Sequence, residues 1–441
     1  MATKKRLDQL PAILSGDVGN NDLMYLVNEN AQAETGYDSK KILVAEVAKK
    51  LLGGVELPTA LPDFPTNKQN PIDALEYLQN EIINLYPVVT ESGSLASFTT
   101  SLTLPLVSLK ANITATQSGT GTPSPQNIRS ISGFSSVTAY QVGKNLFDKT
   151  QTLEAGNITD DGSIGTATGY VHTDFIKVKA GADYVTSGDV ALGNTRNAIA
   201  CYNANKEFII RLSPTGAGGW TFSIPSNTVY IRMNLGGSSR DLDTIQLEAG
   251  TTATAYEAYT ENDTFTIALG DTYYGGVLDC KNGTATITHT AFSFDGSDDE
   301  SWSNVAAQTN RANTISLGST VGQPQSVAPM CNEFVAVSYT ERDTSVANTC
   351  YVTPTRSLAV ITTTEYDTAA KFKTFLASNN LTVVVQLATP VTISGLTPDN
   401  FTTLQGQNNI FADSGDVEVS FKQGIQEYID NQIATTQALI L

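Results

Sequence analysis

A strict alternation of apolar and polar residues near the middle of the chain constrains the fold more than any other feature. Every second residue from Val229 to Leu235 is apolar, and Tyr230, Arg232 and Asn234 stand between them. Because successive side chains of a strand point to opposite faces, this period of two predicts a half-buried β-strand. Similar runs occur at 245–247, 265–269 and 417–421, and turn sequences separate them at 203–205, 216–219, 281–283 and 413–416. Several such strands over residues 95–421 predict a β-sandwich.

Length and charge narrow the class further. The chain has 441 residues, enough for two to four structural units rather than one domain. Only 16% of its residues are charged, and Thr, Ser, Asn and Gly are abundant, which is typical of β-sandwiches with polar turns. Its net charge of -18, from 44 acidic and 26 basic side chains, argues against binding to nucleic acid. We therefore predict a mainly β protein with sandwich domains.

Cysteine and histidine usage gives no sign of a catalytic or metal centre. The four cysteines lie far apart, at Cys201, Cys280, Cys331 and Cys350. They form no CxxC pair, so we predict buried free thiols and neither a zinc site, a redox motif nor a cofactor. The two histidines, His172 and His289, lie in no nucleophile, metalloprotease or P-loop motif, and we interpret both as structural.

Acidic clusters leave two alternatives open. The run at 295–300 contains four acidic residues, but its spacing does not match the twelve-residue calcium loop, so we interpret it and Asp160-Asp161 as solvated loops. A pair of carboxylates for glycoside hydrolysis can be distant in sequence, and a polysaccharide-degrading enzyme therefore remains the least favoured alternative. The prediction is that the chain is not an enzyme.

The first ninety residues differ from the rest. Residues 1–55 predict a small α/β unit that includes a helix with Leu43, Val44, Val47 and Leu51 on one face. Residues 56–90 form a proline-rich linker followed by a short helix. The sequence contains no apolar run of signal-peptide or membrane-span length, so we expect synthesis in a cytoplasm and no membrane insertion.

Two short helices flank the predicted β-body, the second within 422–441. Each carries apolar residues at steps of three or four: Leu75, Leu78, Ile82 and Leu85 in the first, and Ile425, Ile429 and Ile433 in the second. This spacing is that of a coiled-coil seam, and it suggests that the helices join copies of the chain in a homotrimer. The alternative for the first helix is that it packs on the β-domain of its own chain.

Three separated stretches resemble a module found in structural proteins of tailed bacteriophages. They are SLTLPLVSLKANITATQSGTGTPSPQNIRSISGFSSV (101–137), LGDTYYGGVLDCKNGTATITH (269–289) and LATPVTISGLTPDNFTTLQGQNNIFADSGDVEVSF (387–421). The resemblance implies one split β-scaffold domain, residues 91–143 plus 260–421, interrupted by residues 144–259. The interrupting segment begins at GKNLFDK and ends at TIQLEAGTTATAYEAY, which is similar to the last strand of jelly-roll carbohydrate-binding modules.

The resemblance implies a protein of the phage virion, with other virion proteins as partners. Residues 1–55 resemble, more weakly, the attachment ends of phage fibres. A fibre or adhesin subunit that docks through its N-terminus and contacts a host-surface polysaccharide is the first hypothesis. A purely architectural head-fibre, collar or baseplate protein is the second.

Sugar binding would require flat aromatic faces beside hydrogen-bonding side chains. Residues 144–259 contain Trp220, Tyr202, Asn203 and Arg211 near two predicted loops, and these are the candidate carbohydrate-binding residues. The alternative is that Trp220 fills the core and Tyr202 lies in a strand.

Overall fold

The structure is a computed structural model, and it describes residues 86–424 and residue 428, apart from 152, 191–197, 214–219, 237–239, 308, 323–324, 400 and 402. The predicted N-terminal unit at 1–55 lies outside these residues. So do both proposed helix seams: Leu75, Leu78, Ile82 and Leu85, and Ile425, Ile429 and Ile433.

The described residues form mainly β-strands, as predicted. Up to residue 143 these are β1 (Val88–Gly93), β2 (Ala96–Leu104), β3 (Ser108–Thr114), β4 (Thr116–Gln117), β5 (Ile131–Ser132) and β6 (Phe134–Val142). From 144 to 259 they are β7 (Glu154–Ala155), β8 (Asn157–Ile158), β9 (Ile164–Gly165), β10 (Tyr170–His172), β11 (Ile176–Lys177), β12 (Asp183–Ser187), β13 (Ile199–Tyr202), β14 (Phe208–Leu212), β15 (Trp220–Ser223), β16 (Tyr230–Gly236) and β17 (Gln246–Ala249). The remaining strands are β18 (Glu261–Tyr273), β19 (Gly275–Asp279), β20 (Thr284–Phe294), β21 (Ser303–Ala307), β22 (Asn310–Ser316), β23 (Met330–Cys331), β24 (Val335–Ala336), β25 (Thr349–Val352), β26 (Ser357–Thr362), β27 (Leu381–Ile393), β28 (Leu404–Ala412) and β29 (Val417–Lys422). Helix α1 spans Ala369–Leu376, and 3-10 turns occur at Leu242–Thr244 and Thr364–Tyr366.

Two antiparallel sheets share the first hydrophobic core. One has the order β1-β29-β3-β19-β20-β27-β23, and the other has the order β18-β6-β28-β2. Val417, Val419 and Phe421 are buried while the residues between them are more exposed, which confirms the alternation predicted for 417–421. The ring of Phe421 stacks on that of Phe98 at 3.8 Å between centroids. We call this pair of sheets the scaffold.

Residues 144–259 surround a second core. One sheet has the order β14-β13-β16-β10-β7, with β11 paired to β16, and a second has the order β15-β12-β17. Both sheets contribute buried side chains to this core, including Met233 and Leu247. We call this segment the insert. Its predicted jelly-roll topology stays a prediction.

Two polar residues of β16 are buried, although an exposed polar face was expected for this strand. The alternation at 229–235 predicted a strand with one exposed face, but Arg232 is 8% exposed and Asn234 is 1% exposed. Arg232 donates to the carbonyl of Thr173 at 2.7 Å, and Asn234 donates to that of Ile158 at 2.9 Å. The polar residues are therefore buried because neighbouring chain covers them and supplies hydrogen-bond partners.

A third core lies within residues 294–385, which sequence patterns did not separate from the scaffold. Its five-stranded sheet has the order β21-β22-β26-β25-β24, and β24–β25 is the parallel pair among the otherwise antiparallel described strands. Helix α1 buries Phe372 and Leu376 in this core, and Trp302 meets Phe372 edge-to-face at 4.8 Å. Thr368 caps the helix by accepting from the amide of Lys371 at 3.2 Å.

Glu333, between β23 and β24, is a buried carboxyl group with no hydrogen-bond partner for either oxygen among the described residues. Burial raises its pKa from 4.5 to about 7. Because the pKa of Glu333 is higher in the folded than in the unfolded protein, the protonated carboxyl group favours the folded state. Its stabilising contribution is complete below about pH 4.5 and is lost as the pH rises through 7. At higher pH the native protein contains a buried, unpaired charge.

We predict that Glu333→Gln reduces this loss, because the amide cannot ionise. The free energy of unfolding of the unmodified protein should fall by up to about 3 kcal/mol relative to the variant between pH 5 and pH 8. Urea denaturation at both pH values measures the difference. Glu365→Gln, at an exposed position in the same region, is the matched control. An unchanged pH dependence in Glu333→Gln would contradict the prediction.

Candidate functional site

The structure corrects the assignment of Trp220 to a sugar site. Trp220 lies in β15 with 1% of its surface exposed, inside the core of the insert. Its backbone amide donates to the hydroxyl of Thr186 at 3.2 Å. Stacking on a sugar needs a free ring face, which Trp220 lacks, so the alternative that it fills the core describes its position.

Tyr202 is also packed away from solvent, at 5% exposure. Its ring meets Phe175 edge-to-face at 4.9 Å and Phe208 at 5.9 Å. It belongs to a different hydrophobic cluster from Trp220, so the two rings do not form one surface. Tyr202 instead packs against the ring of Phe175.

Asn203 and Arg211 have structural partners. The Asn203 side-chain oxygen accepts from the amides of Asn205 and Glu207 at 2.9 Å each, and its amide group donates to the Glu207 carboxylate at 2.8 Å. These bonds fix a tight turn in which Lys206 adopts a φ of 60°. The guanidinium of Arg211 forms an ion pair with Asp160. The four predicted residues therefore do not converge on one site.

A different group of aromatic residues lines an open cleft of about 650 Å³ between scaffold and insert. We call it the aromatic cleft. Its rings come from both parts: Phe134, Tyr140 and Phe411 from the scaffold, Phe175 and Tyr230 from the insert, and Tyr259 from the end of the insert. All six are partly exposed, unlike Trp220.

Ring contacts hold each wall of the aromatic cleft. Tyr140 stacks on Phe411 with centroids 5.0 Å apart and 19° between the planes. On the opposite wall Phe175 meets Tyr230 edge-to-face at 5.9 Å. These pairs restrict the rings while leaving part of each exposed.

Lys177 joins the two walls at the base of the cleft. Its side chain is largely buried, and its ammonium donates to the carbonyl of Ala412, at the end of β28, and to that of Gly415 at 3.3 Å. The nitrogen lies 5.8 Å from the ring centroids of both Tyr230 and Phe411. Burial lowers the pKa of Lys177 to about 8, opposed by the nearby charges of Asp416 and Asp413. An insert residue is thus hydrogen-bonded to the scaffold backbone.

Polar groups surround the rings. Asp148, Gln151, Asp174, Asn205 and Asp413 are among the residues that line the cleft. The ammonium of exposed Lys206 lies 4.7 Å from the Phe175 ring centroid and forms no ion pair within the described part of the chain. Carboxylates and amides accept hydrogen bonds from hydroxyl groups and an ammonium donates them, so the rings of the cleft are bordered by groups that can hydrogen-bond to hydroxyls.

The histidines have intramolecular partners. Nδ1 of His172 is 3.1 Å from the carbonyl of Gly156, and Nε2 is 3.0 Å from the carboxylate of Glu154, which also pairs with Arg232 at 2.8 Å. His289 is partly buried, which lowers its pKa, and its Nδ1 is 2.9 Å from the hydroxyl of Thr288. His172 is therefore held by a carbonyl and a carboxylate, and His289 by the hydroxyl of its neighbour in the chain.

The acidic run at 295–300 is tied together internally. Glu300 accepts from the amide of Asp295 at 2.7 Å and from the indole of Trp302 at 2.7 Å. Among the described residues there is no group of three His, Cys, Asp or Glu side chains placed to hold a metal ion. Within the same residues, no helix is long and apolar enough to cross a membrane.

Comparison with known proteins returned no match, either to a protein-family model or to a curated protein. The geometry of the aromatic cleft and the sequence resemblance described above are therefore the grounds for a functional proposal.

We predict that Trp220→Ala destabilises the fold, because it leaves a large cavity in the insert core. The expected loss is about 3–5 kcal/mol in the free energy of unfolding, measured by denaturant titration. Tyr256→Ala, at a position 44% exposed, should change it by less than about 0.5 kcal/mol. Equal effects of the two substitutions would show that Trp220 does not support the core.

Proposed function

We propose that this protein is a non-enzymatic structural component of a tailed-phage particle, a fibre or adhesin subunit, and that it binds a neutral host-surface glycan in the aromatic cleft. The observation that carries the binding proposal is the set of six partly exposed rings beside carboxylate, amide and ammonium groups. Virion membership rests on the sequence resemblance of residues 101–137, 269–289 and 387–421. Strands from all three stretches contribute to the scaffold core, which supports the interpretation of these stretches as parts of one module.

Ring exposure distinguishes the aromatic cleft from the buried aromatic residues around Trp220 in the insert core. A pyranose presents a face of C–H groups that packs against an aromatic ring, while its hydroxyl groups need hydrogen-bond partners around the edge. Phe175 and Tyr230 provide partly exposed rings, and Asp174 and Lys206 lie next to them. This combination matches a sugar better than it matches a fully apolar ligand.

The walls of the cleft are held in place before any ligand arrives. Arg129, 6% exposed, donates to the carbonyl of Ser118 at 2.7 Å and to that of Gly121 at 2.7 Å, and pairs with Glu207 of the insert at 2.7 Å. Ser118 lines the cleft. Together with Lys177, this network joins insert and scaffold on both sides of the cleft, which reduces the ordering cost of binding.

Weak sites gain strength when copies are joined. In the proposed homotrimer, three clefts would engage a repetitive surface polysaccharide at once, and linked copies raise avidity without new contacts. Residues 1–55 are proposed to dock the trimer on other virion proteins. Localisation to the virion follows from this assignment.

We predict that the full chain binds neutral oligosaccharides on a glycan array or purified host wall polysaccharide. Phe175→Ala should weaken binding about tenfold or more, because it removes a ring from the cleft wall. Tyr256→Ala removes an exposed ring outside the cleft and is the matched control. Circular dichroism and thermal unfolding of each variant check that the fold is intact.

Three outcomes separate the hypotheses. Loss of binding in Phe175→Ala with binding intact in Tyr256→Ala supports the aromatic cleft. Equal binding by all three proteins would place the sugar site elsewhere. Absence of binding to every glycan, with particles labelled by an antibody to this chain, would favour the architectural role.

A further inference from the structure

Two of the four buried cysteines lie side by side. Cys331 and Cys350, 2% and 0% exposed, both belong to the third core, and Cys331 is the neighbouring group that acts on Cys350. The amide of Val337 donates to the carbonyl of Cys350 at 2.9 Å, so the segment that follows Cys331 runs beside Cys350. Cys201 lies in the insert core and Cys280 in the scaffold core. All four are free thiols in the structure. The chain therefore contains one adjacent dithiol and two isolated thiols as internal controls.

The dithiol bridges two sheets. Cys331, in β23, faces Val383 of β27 in the seven-stranded sheet. Cys350, in β25, faces Val360 of β26 in the five-stranded sheet. The amide of Phe334 donates to the Cys331 sulfur at 3.4 Å, which fixes that side chain beside its partner. The chain itself passes from the first sheet to the second through residues 332–334, and a bond between the sulfurs would add a second covalent link between them.

Cys331, and not Cys350, lines a cleft from which a small oxidant could approach the pair. Cys331 lines a second cleft, of about 620 Å³, together with His289, Met330 and Phe334. Cys350 lies behind it, without exposed surface. The neighbouring Cys331 thiol, together with burial, raises the pKa of Cys350 well above its usual value, so Cys350 is a poor first nucleophile. Attack on an external oxidant would begin at Cys331.

We infer that Cys331 and Cys350 form a disulfide when the protein meets an oxidising small-molecule disulfide such as oxidised glutathione. The Cys331 thiol loses its proton and attacks one sulfur of the oxidant, giving a mixed disulfide and releasing one small thiol. Cys350 then loses its proton and attacks the Cys331 sulfur, which releases the second small thiol. Two S–H bonds become one S–S bond, and the two protons and two electrons reduce the oxidant to two thiols.

The bond would close the loop 332–349, which contains β24 and Glu333. Closing a loop of this size limits the unfolded chain and stabilises the folded one. Thiols remain reduced in a cytoplasm and oxidise outside it, so the cross-link would form after release of the protein from the cell that makes it. This inference does not depend on the proposed glycan ligand.

The test is oxidation of the native full-length chain, purified under reducing conditions. After incubation with oxidised glutathione and acid quenching, the protein is unfolded, its thiols are alkylated, and its mass and peptides are measured. We expect a loss of about 2 Da, alkylation of Cys201 and Cys280 alone, and a peptide linking residues 331 and 350. The melting temperature should rise by roughly 5 °C and return on reduction.

Variants assign the reaction to this pair. Cys280→Ala should still form the cross-link, whereas Cys350→Ala should stop at a glutathione adduct on Cys331. If Cys350→Ala does not fold, Cys350→Ser provides the same readout, and the peptide map of the unmodified protein decides independently. Four alkylated cysteines after native oxidation, a persistent adduct on Cys331 in the unmodified chain, or linkage to Cys201 or Cys280 would each overturn the inference.

Discussion

Backbone pairing between the two ends of the described chain closes the scaffold, and the rest of the described structure is built on the scaffold. β1 pairs with β29 from Val88↔Lys422 to Gly93↔Val417, and β2 pairs with β28 at Ala96↔Ile410. These ladders close the scaffold around its core, and the insert and the third core are built from the chain between them. Since contacts this distant in sequence carry a large loop-closure cost, we expect the scaffold to be the slow step of folding.

The sequence predicts those parts of the fold in which one face of a strand is buried and the other is solvated. The run from Val417 to Phe421 is such a strand, and its alternation is confirmed. β16 has the same alternation, but its polar residues are buried because Arg232 and Asn234 find partners in neighbouring chain. The core at 294–385 was not distinguished from the scaffold, because β25 and β26 are buried at nearly every position and lack the alternation by which a strand is recognised. Periodicity reports the faces of a strand, and it does not report which core a face joins.

The candidate site could not be predicted for a related reason. Trp220 and Tyr202 were chosen because aromatic residues near turn signals are typical of sugar sites, yet both rings are buried. The aromatic cleft combines Tyr140, Phe175 and Phe411, which meet only after insert and scaffold pack together. No local pattern distinguishes a ring that completes a core from one that remains half exposed. The turn predicted at 203–205 lies at the cleft, which Asn205 and Lys206 line and Asn203 does not.

Both ends of the insert leave the scaffold at the same place. Val142, the last residue of β6, is paired with Glu261, the first residue of β18, and the amide of Gly143 donates to the carbonyl of Thr260 at 2.9 Å. A pull on the insert would therefore load the β6–β18 ladder from its end, so that its hydrogen bonds would open one after another rather than together. Lys177, bonded to the carbonyls of Ala412 and Gly415, provides a second attachment away from that end. Tension on the insert would be divided among the ladder, this lysine and the Arg129–Glu207 ion pair, so that the walls of the cleft would resist separation under load.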